Sequence, residues 1–199
     1  MRGITYASPE YVPKFRRNVS DSMRSYVLHC GLKVPRNLRD TFEVFENPHN
    51  LARITPPQLG FRVMHGALKM SKDLTIDYTI RWLGVGMRWR SRISAYEPPY
   101  RFVDIQERGP FRLWHHVHGF TEQRDGTLVT DEVTYVMPFG ILGSITHALI
   151  VKRQLLEIFR FRQKALGDIL GGAVTELDPP AVESGSTITE QQLAEYRAY

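Results

Sequence analysis

The stretch LTIDYTIRW, residues 74–82, alternates without a break. Leu74, Ile76, Tyr78, Ile80 and Trp82 fall on one side, and Thr75, Asp77, Thr79 and Arg81 on the other. Successive side chains of a strand point to opposite faces, so this segment predicts a strand with one face in a core and one in water. The next stretch repeats the period: Val85, Met87, Trp89, Ser91 and Ile93 alternate with Arg88, Arg90 and Arg92. Working outward, Pro98-Pro99 makes a turn, Arg101 to Glu107 is a strand, and Gly109-Pro110 turns the chain again. Phe111 to Gln123 and Thr127 to Met137 are strands joined by the hairpin signal Asp125-Gly126.

Upstream, Tyr26 to Val34 predicts a strand that ends at Pro35, and Asn37 is placed to cap a short helix running to Glu46. A second short helix from His49 to Ile54 stops at Pro56-Pro57, and Phe61 to His65 is a short strand. Downstream, Leu142, Ile145, Leu149, Leu156, Phe159 and Leu166 recur at helical spacing, which predicts one long helix over Ile141 to Leu170. Gly171-Gly172 stops it. The expected fold is α+β: a strongly curved antiparallel sheet of about six or seven strands wrapped round a long C-terminal helix, with two short helices after the first strand. Such a sheet gripping one helix leaves space for a cavity, the ordinary place for a ligand.

Residues 23–171 form the expected domain. Residues 1–22 are polar and aperiodic and read as an extension. Residues 172–199 read as a tail, in which the Gly-, Pro-, Ser- and Thr-rich stretch to position 188 is a linker. Thr189 is placed to cap a short helix after it. The chain has 199 residues, a net charge of +5 and an isoelectric point near 9.4, a mildly basic balance. Cys30 is the one cysteine, which rules out an internal disulfide and favours a reducing compartment. The longest apolar candidate for a membrane span, Ile141 to Val151, is too short. The start of the chain lacks the apolar core of a secretory signal, and Glu10 and Asp21 weaken a transit-peptide reading despite Arg2, Arg16, Arg17 and Arg24. A cytoplasmic protein is expected, with peripheral membrane association or mitochondrial import as weaker readings.

Several segments together carry a resemblance. Asn47-Pro48-His49-Asn50-Leu51 is followed by Ile54-Thr55-Pro56-Pro57 and by Met87-Arg88-Trp89-Arg90. Gly109-Pro110-Phe111-Arg112-Leu113-Trp114-His115-His116-Val117-His118, Asp131-Glu132-Val133-Thr134-Tyr135 and Pro138-Phe139-Gly140 complete the series. Over about residues 24–171 the chain resembles the helix-grip fold of the START-like, or SRPBCC, superfamily, and in detail a bacterial subgroup of it. Members include polyketide cyclases, lipid-transfer START domains, coenzyme Q-binding proteins and the birch pollen allergen group. The resemblance implies an internal cavity for a hydrophobic molecule and does not single out which one.

The chemically suggestive residues are histidines. On a strand, His116 and His118 share a face with Trp114 and Phe120, while His115 points the other way. Asp131, across the hairpin, falls opposite or diagonal to His118. Two histidines at this spacing can bind a divalent metal only with a third ligand, so they are read as polar lining rather than a metal site. No cofactor is expected. Trp82, Trp89, Trp114, Tyr135, Phe61, Phe139 and Leu142 are the remaining candidate ligand contacts. Trp82, Trp89, Trp114, His116, His118 and Tyr135 line the interior, and Leu59, Phe61, Phe139, Ile141 and Leu142 form an apolar gate. His116, His118 and Asp131 fix a polar head group. Arg88, Arg90 and Arg92 make a basic stripe that can meet a membrane or a protein partner, as can the termini. Nucleic acid is discounted because no stacking aromatics share the stripe's face. There is no serine elbow or phosphate-binding glycine loop. Asp104, Glu107, Asp131 and Glu132 can supply a carboxylate base, but nothing in the sequence pairs them as a glycosidase requires.

The expected function is binding or transfer of a hydrophobic molecule: a lipid, a quinone or other isoprenoid, or a polyketide-like compound. One alternative is an aromatase/cyclase-type enzyme in which a cavity histidine moves a proton. The other is a non-catalytic interaction subunit that uses the terminal extensions.

Overall fold

Period-two patterning fixes a sheet face only where strands pair in register, and here they do. The computed structural model describes residues 22–64, 69–82, 84–171 and 174–198, leaving the side chain of Ile141 aside. The strands are β1 (Met23–Val34), β2 (Arg62–Val63), β3 (Thr75–Trp82), β4 (Val85–Glu97), β5 (Arg101–Arg108), β6 (Leu113–Gln123), β7 (Gly126–Val136) and β8 (Thr175–Ile188). They form one antiparallel sheet in the order β2-β3-β4-β5-β6-β7-β1-β8. From β4 to β7 this is a meander of short turns. At the β6–β7 turn, Gly126 has φ 143° and a Cβ there would lie 2.1 Å from the carbonyl oxygen of Val34. Only glycine tolerates that approach.

The helices are α1 (Leu38–Glu46), α2 (Gly140–Thr146), α3 (Lys152–Leu170) and α4 (Glu190–Ala198). Asn37 caps α1 by accepting the Asp40 N–H at 2.9 Å. Pro48–Ala52 and Pro57–Leu59 are short 3-10 turns. Leu38, Phe42 and Phe45 of α1 close one end of the sheet against Phe102 and Phe120. At the other end Leu155 and Phe159 of α3 pack on Tyr26, Leu28, Val133 and Tyr135. Ala165, Leu166 and Leu170 of α3 join the first cluster, so the gripping helix runs along the sheet from one end to the other.

Two expectations are corrected here. The stretch at 172–188 is not a linker: Thr175–Ile188 is β8, an edge strand paired antiparallel to β1 with three register shifts, and it makes the sheet eight-stranded rather than six- or seven-stranded. An edge strand has one row of N–H groups with no partner strand, so its Pro179-Pro180 is tolerated where a central strand would exclude it. Beyond it, α4 packs on the outer face, where Leu193 joins Leu113, Val136 and Ile188. Thr189 and Gln192 cap one another, with Gln192 N–H on Thr189 Oγ1 at 3.2 Å and Thr189 N–H on Gln192 Oε1 at 2.9 Å.

The second correction concerns the long helix. Its apolar stripe is not continuous, because His147–Val151 is a π-helical stretch between α2 and α3. A π turn inserts one residue, which rotates the residues before it by roughly 100° relative to those after it. Val151, Leu155, Phe159, Leu166 and Leu170 face the sheet, whereas Leu142 and Leu149 are each 71% exposed.

The extension at residues 1–21, Gly172, and the end of the predicted strand at His65 lie outside the described residues. Among the described residues no helix is long and apolar enough to cross a membrane.

Candidate functional site

Three neighbouring strands each send a polar side chain into the apolar interior. Register puts Asp131 of β7 directly opposite His118 of β6, and Asp104 of β5 opposite His116. Phe102, Asp104 and Gln106 alternate inward on β5, as do Trp114, His116, His118 and Phe120 on β6. From the helix, Arg162 enters the same space, with its guanidinium 4.8 Å from the Phe159 ring centroid.

These side chains form a closed array. His116 Nε2 is 2.8 Å from Asp131 Oδ1, and His118 Nε2 is 3.0 Å from Asp104 Oδ2. The second nitrogens approach the other carboxylate: His116 Nδ1 to Asp104 Oδ2 is 3.4 Å, and His118 Nδ1 to Asp131 Oδ1 is 3.1 Å. This last contact is off the line of a good hydrogen bond. Each imidazole thus bridges both carboxylates, and the two rings are in contact, tilted by 36° with centroids 3.7 Å apart. Arg162 Nη1 is 3.4 Å from Asp131 Oδ1, and the Cys30 thiol is 3.8 Å from Asp131 Oδ2. Ser91 Oγ links Asp104 at 3.4 Å to the Trp89 indole N–H at 3.1 Å.

Burial dominates the electrostatics of the array, and partners decide which groups escape it. Burial alone would raise both carboxyls, but the histidines and Arg162 outweigh it, leaving Asp104 below its usual range and Asp131 well below. Burial pushes His116 down to about 4, helped by the neighbouring His118. His118 is also penalised by burial, yet Asp104 and Asp131 raise it above its ordinary value. The two carboxylates thus favour a proton on His118, and a protonated His118 together with Arg162 balances them. A buried charge set that sums to zero avoids most of the cost of an isolated buried ion. The Cys30 thiol is pushed up by burial and then by Asp131, so it is an inert packing group.

Around the array sits an aromatic shell. Trp89, Trp114, Phe111 and Tyr135 touch one another at ring separations from 4.9 to 6.1 Å, and Trp82 joins through Phe111. Phe61 packs on Tyr78 at 4.7 Å. Tyr135 shares a 2.8 Å hydrogen bond with His147 Nε2, and His147 stacks on Tyr26 at 3.5 Å. Burial, then the charges of Lys152 and Arg24, push His147 down to about 4.

The predicted gate residues divide. Leu59 is buried and Phe61 half-buried, while Phe139 is 82% and Leu142 71% exposed. Phe139 also has φ 65°, a left-handed conformation that costs a bulky residue of order 1–3 kcal/mol. With Ile145, Leu149 and Ile150 these two make an exposed apolar strip along one helical body. Beside it, between the start of β1, the end of β7 and α2, lies a pocket of about 440 Å³ lined by Met23, Arg24, Val136, Met137, Gly140 and Ser144 among others. The basic stripe is on the outer face and largely paired. Arg90 binds Asp77 through two contacts at 2.7 and 2.9 Å, and Arg92 meets Asp73 and Glu107, each at 3.1 Å.

Sequence reasoning misses Arg162 and His147 and leaves Asp104 outside the ligand contacts. Arg162 is detectable, since Leu155, Phe159, Arg162 and Leu166 share one helical stripe. Asp104 alternates with Phe102 in the same way. His147 gives no signal, because the π stretch that turns it inward has none.

A scan against family models finds no match, and neither does a comparison with curated proteins. Solved structures do match. Protein Ms6760 from Mycobacterium smegmatis aligns with a TM-score of 0.54 at 16% identity, over 72% of this chain and 90% of that one. The di-domain ARO/CYC BexL from the BE-7585A biosynthetic pathway gives 0.57 at 16% identity over 75% of this chain, which spans 51% of that protein. Ara h 8.0201 gives 0.50 at 12% identity, over 72% of this chain and 99% of that one. At such identities the likeness concerns architecture alone, and the chain has the helix-grip fold.

Proposed function

We propose that this protein binds a hydrophobic small molecule between the sheet and α3 and passes it on, with α2 and the π stretch as the way in. The observation that carries the reading is the exposed apolar strip of Phe139, Leu142, Ile145, Leu149 and Ile150 at the start of the gripping helix, next to the 440 Å³ pocket. Large apolar residues so placed are costly in water and mark an interaction site. Deeper in, Trp82, Trp89, Trp114, Tyr135 and Phe61 offer aromatic contact, and His116, His118 and Asp131 offer a polar anchor for a head group. The interior is packed with the protein's own side chains, so entry requires α2 to move away from β7. The resemblance to the SRPBCC subgroup supports a lipid, quinone, isoprenoid or polyketide-like ligand, and the likeness to BexL is compatible with any of these.

The test is native mass spectrometry of protein from its own source, followed by organic extraction of whatever is bound. Titration with a quinone and a fatty acyl probe, read by quenching of the three tryptophans, comes next. A stoichiometric bound lipid or saturable quenching is expected, and quenching is expected to weaken in Leu142→Glu. A clean apo mass with no quenching by either probe overturns the carrier reading.

An aromatase/cyclase-type enzyme remains the second reading. It is favoured by the unequal histidines, His116 pushed down by burial and His118 raised by its two carboxylates, a pairing suited to taking and returning a proton.

A further inference from the structure

The buried array has the shape of a metal centre with its supporting shell already built. Asp104, His116 and His118 each offer one ligand atom, and the three atoms lie within 4.8 Å of one another. Asp104 Oδ2 is 3.0 Å from His118 Nε2 and 3.4 Å from His116 Nδ1. Ligand atoms bound at about 2.1 Å to a tetrahedral ion lie roughly 3.4 Å apart, so the two separations from Asp104 are close to the edges of a coordination sphere.

A histidine that binds metal through one nitrogen normally gives its other N–H to a carboxylate. Asp131 is placed for both rings: its Oδ1 is 2.8 Å from His116 Nε2 and 3.1 Å from His118 Nδ1. Arg162 in turn holds Asp131, at 3.4 Å, so the cation is directed at the supporting carboxylate. The His118 Nδ1 contact is too bent for a good hydrogen bond, so this nitrogen is a buried polar atom not yet well satisfied. Charge agrees as well. Imidazoles that bind a metal are unprotonated, and a dication then joins Arg162 in offsetting Asp104 and Asp131. Asp104 keeps 18% of its side-chain surface accessible, against 4% and 7% for the histidines, so an ion has its approach on the β5 side.

We propose that Asp104, His116 and His118 bind a divalent transition-metal ion, with Asp131 as the positioning carboxylate of both histidines. Two imidazoles and one carboxylate suit Zn²⁺, Co²⁺ or Fe²⁺ and not Ca²⁺ or Mg²⁺, which take oxygen ligands. Three protein ligands leave at least one coordination position for water or another ligand. The inference stands on this geometry alone and does not depend on a hydrophobic ligand.

The experiment uses the full chain stripped with a chelator and titrated with Co²⁺, reading the visible absorption band, and with Zn²⁺ in a calorimeter. One equivalent is expected to bind with a visible Co²⁺ band. His118→Gln and Asp104→Asn, which remove direct ligands, are expected to weaken it by at least about 100-fold, the upper end of the loss for a supporting partner. His29→Gln, which alters the surface group of His29, Asp178 and Glu183, is expected to change nothing. Circular dichroism checks that each variant is folded. Should the interior variants fail to fold, X-ray absorption of the zinc-loaded wild type decides, with two imidazoles in the first shell expected. Absence of binding, binding untouched by His118→Gln and Asp104→Asn, loss in His29→Gln, or a shell without two imidazoles each overturns the proposal.

Discussion

Replacing Asp131 by Asn tests the charge balance of the interior. Asp131 Oδ1 accepts from His116 at 2.8 Å, faces His118 at 3.1 Å and Arg162 at 3.4 Å, and the residue is 5% exposed. Asparagine keeps the shape and loses the charge, so the Arg162 guanidinium loses the carboxylate it is held against and has only Asp104 nearby. Removing one partner of a buried ion pair costs about 3–5 kcal/mol. With a urea slope of about 2 kcal/mol per molar, a loss of about 4 kcal/mol moves the unfolding midpoint down by roughly 2 M. The assay is urea unfolding at pH 7 with a chelator present, because a bound ion would add stability of its own. Arg162→Met added to Asp131→Asn removes the stranded cation, and the double variant is expected to regain at least half of the loss. A midpoint shift below about 0.5 M for Asp131→Asn, or simple additivity in the double variant, would refute the balance.

Three further outcomes are expected. His147 is held near 4, below its ordinary 6.5, so the unfolded chain takes up its proton first as pH falls. The stability it lends is whole above 6.5 and is lost between 6.5 and about 4. Allowing for screening by nearby solvent, that loss is about 1–2 kcal/mol. His147→Gln is expected to flatten the stability–pH curve by this amount, and curves that stay parallel count against it. Phe139→Gly relieves the left-handed strain and is expected to stabilise by about 1 kcal/mol in urea while weakening probe uptake, whereas destabilisation would place the ring in a supporting role. Deleting residues 172–199 removes Val182, Ile188 and Leu193 from the core at about 1.5–3 kcal/mol each, so the shortened chain is expected to lose its circular dichroism signal or to associate. A monomeric, fully folded product would show that β8 is dispensable.

Legibility in the sequence follows physical locality. β3, β4, β6 and β7 are readable because alternation is a local property, and Asp125-Gly126 fixes the β6–β7 register that sets Asp131 against His118. The face shared by His116 and His118 comes from the same alternation. The features that escape need information from elsewhere in the chain. β8 has the composition of a linker, and only β1 as a partner makes it a strand. A period of 3.6 carried through His147–Val151 puts the first part of the helical stripe on the core, but the backbone departs from that period there. Asp104 and Arg162 are charged residues on apolar faces, and they make sense inside only once their partners stand within reach.

The edge formed by β8 bears on how this protein behaves at high concentration. A sheet that ends in a long, flat, apolar strand invites a second molecule to extend it, which is the first step toward fibrils. Here the terminal strand has Glu176, Asp178 and Glu183 along it, two consecutive prolines that cannot donate, and three shifts of register that bend its outline. A neighbouring copy offered this border finds missing donors, like charges and a poor fit. The features that disguise β8 in the sequence are those that keep one molecule's sheet from becoming part of another's.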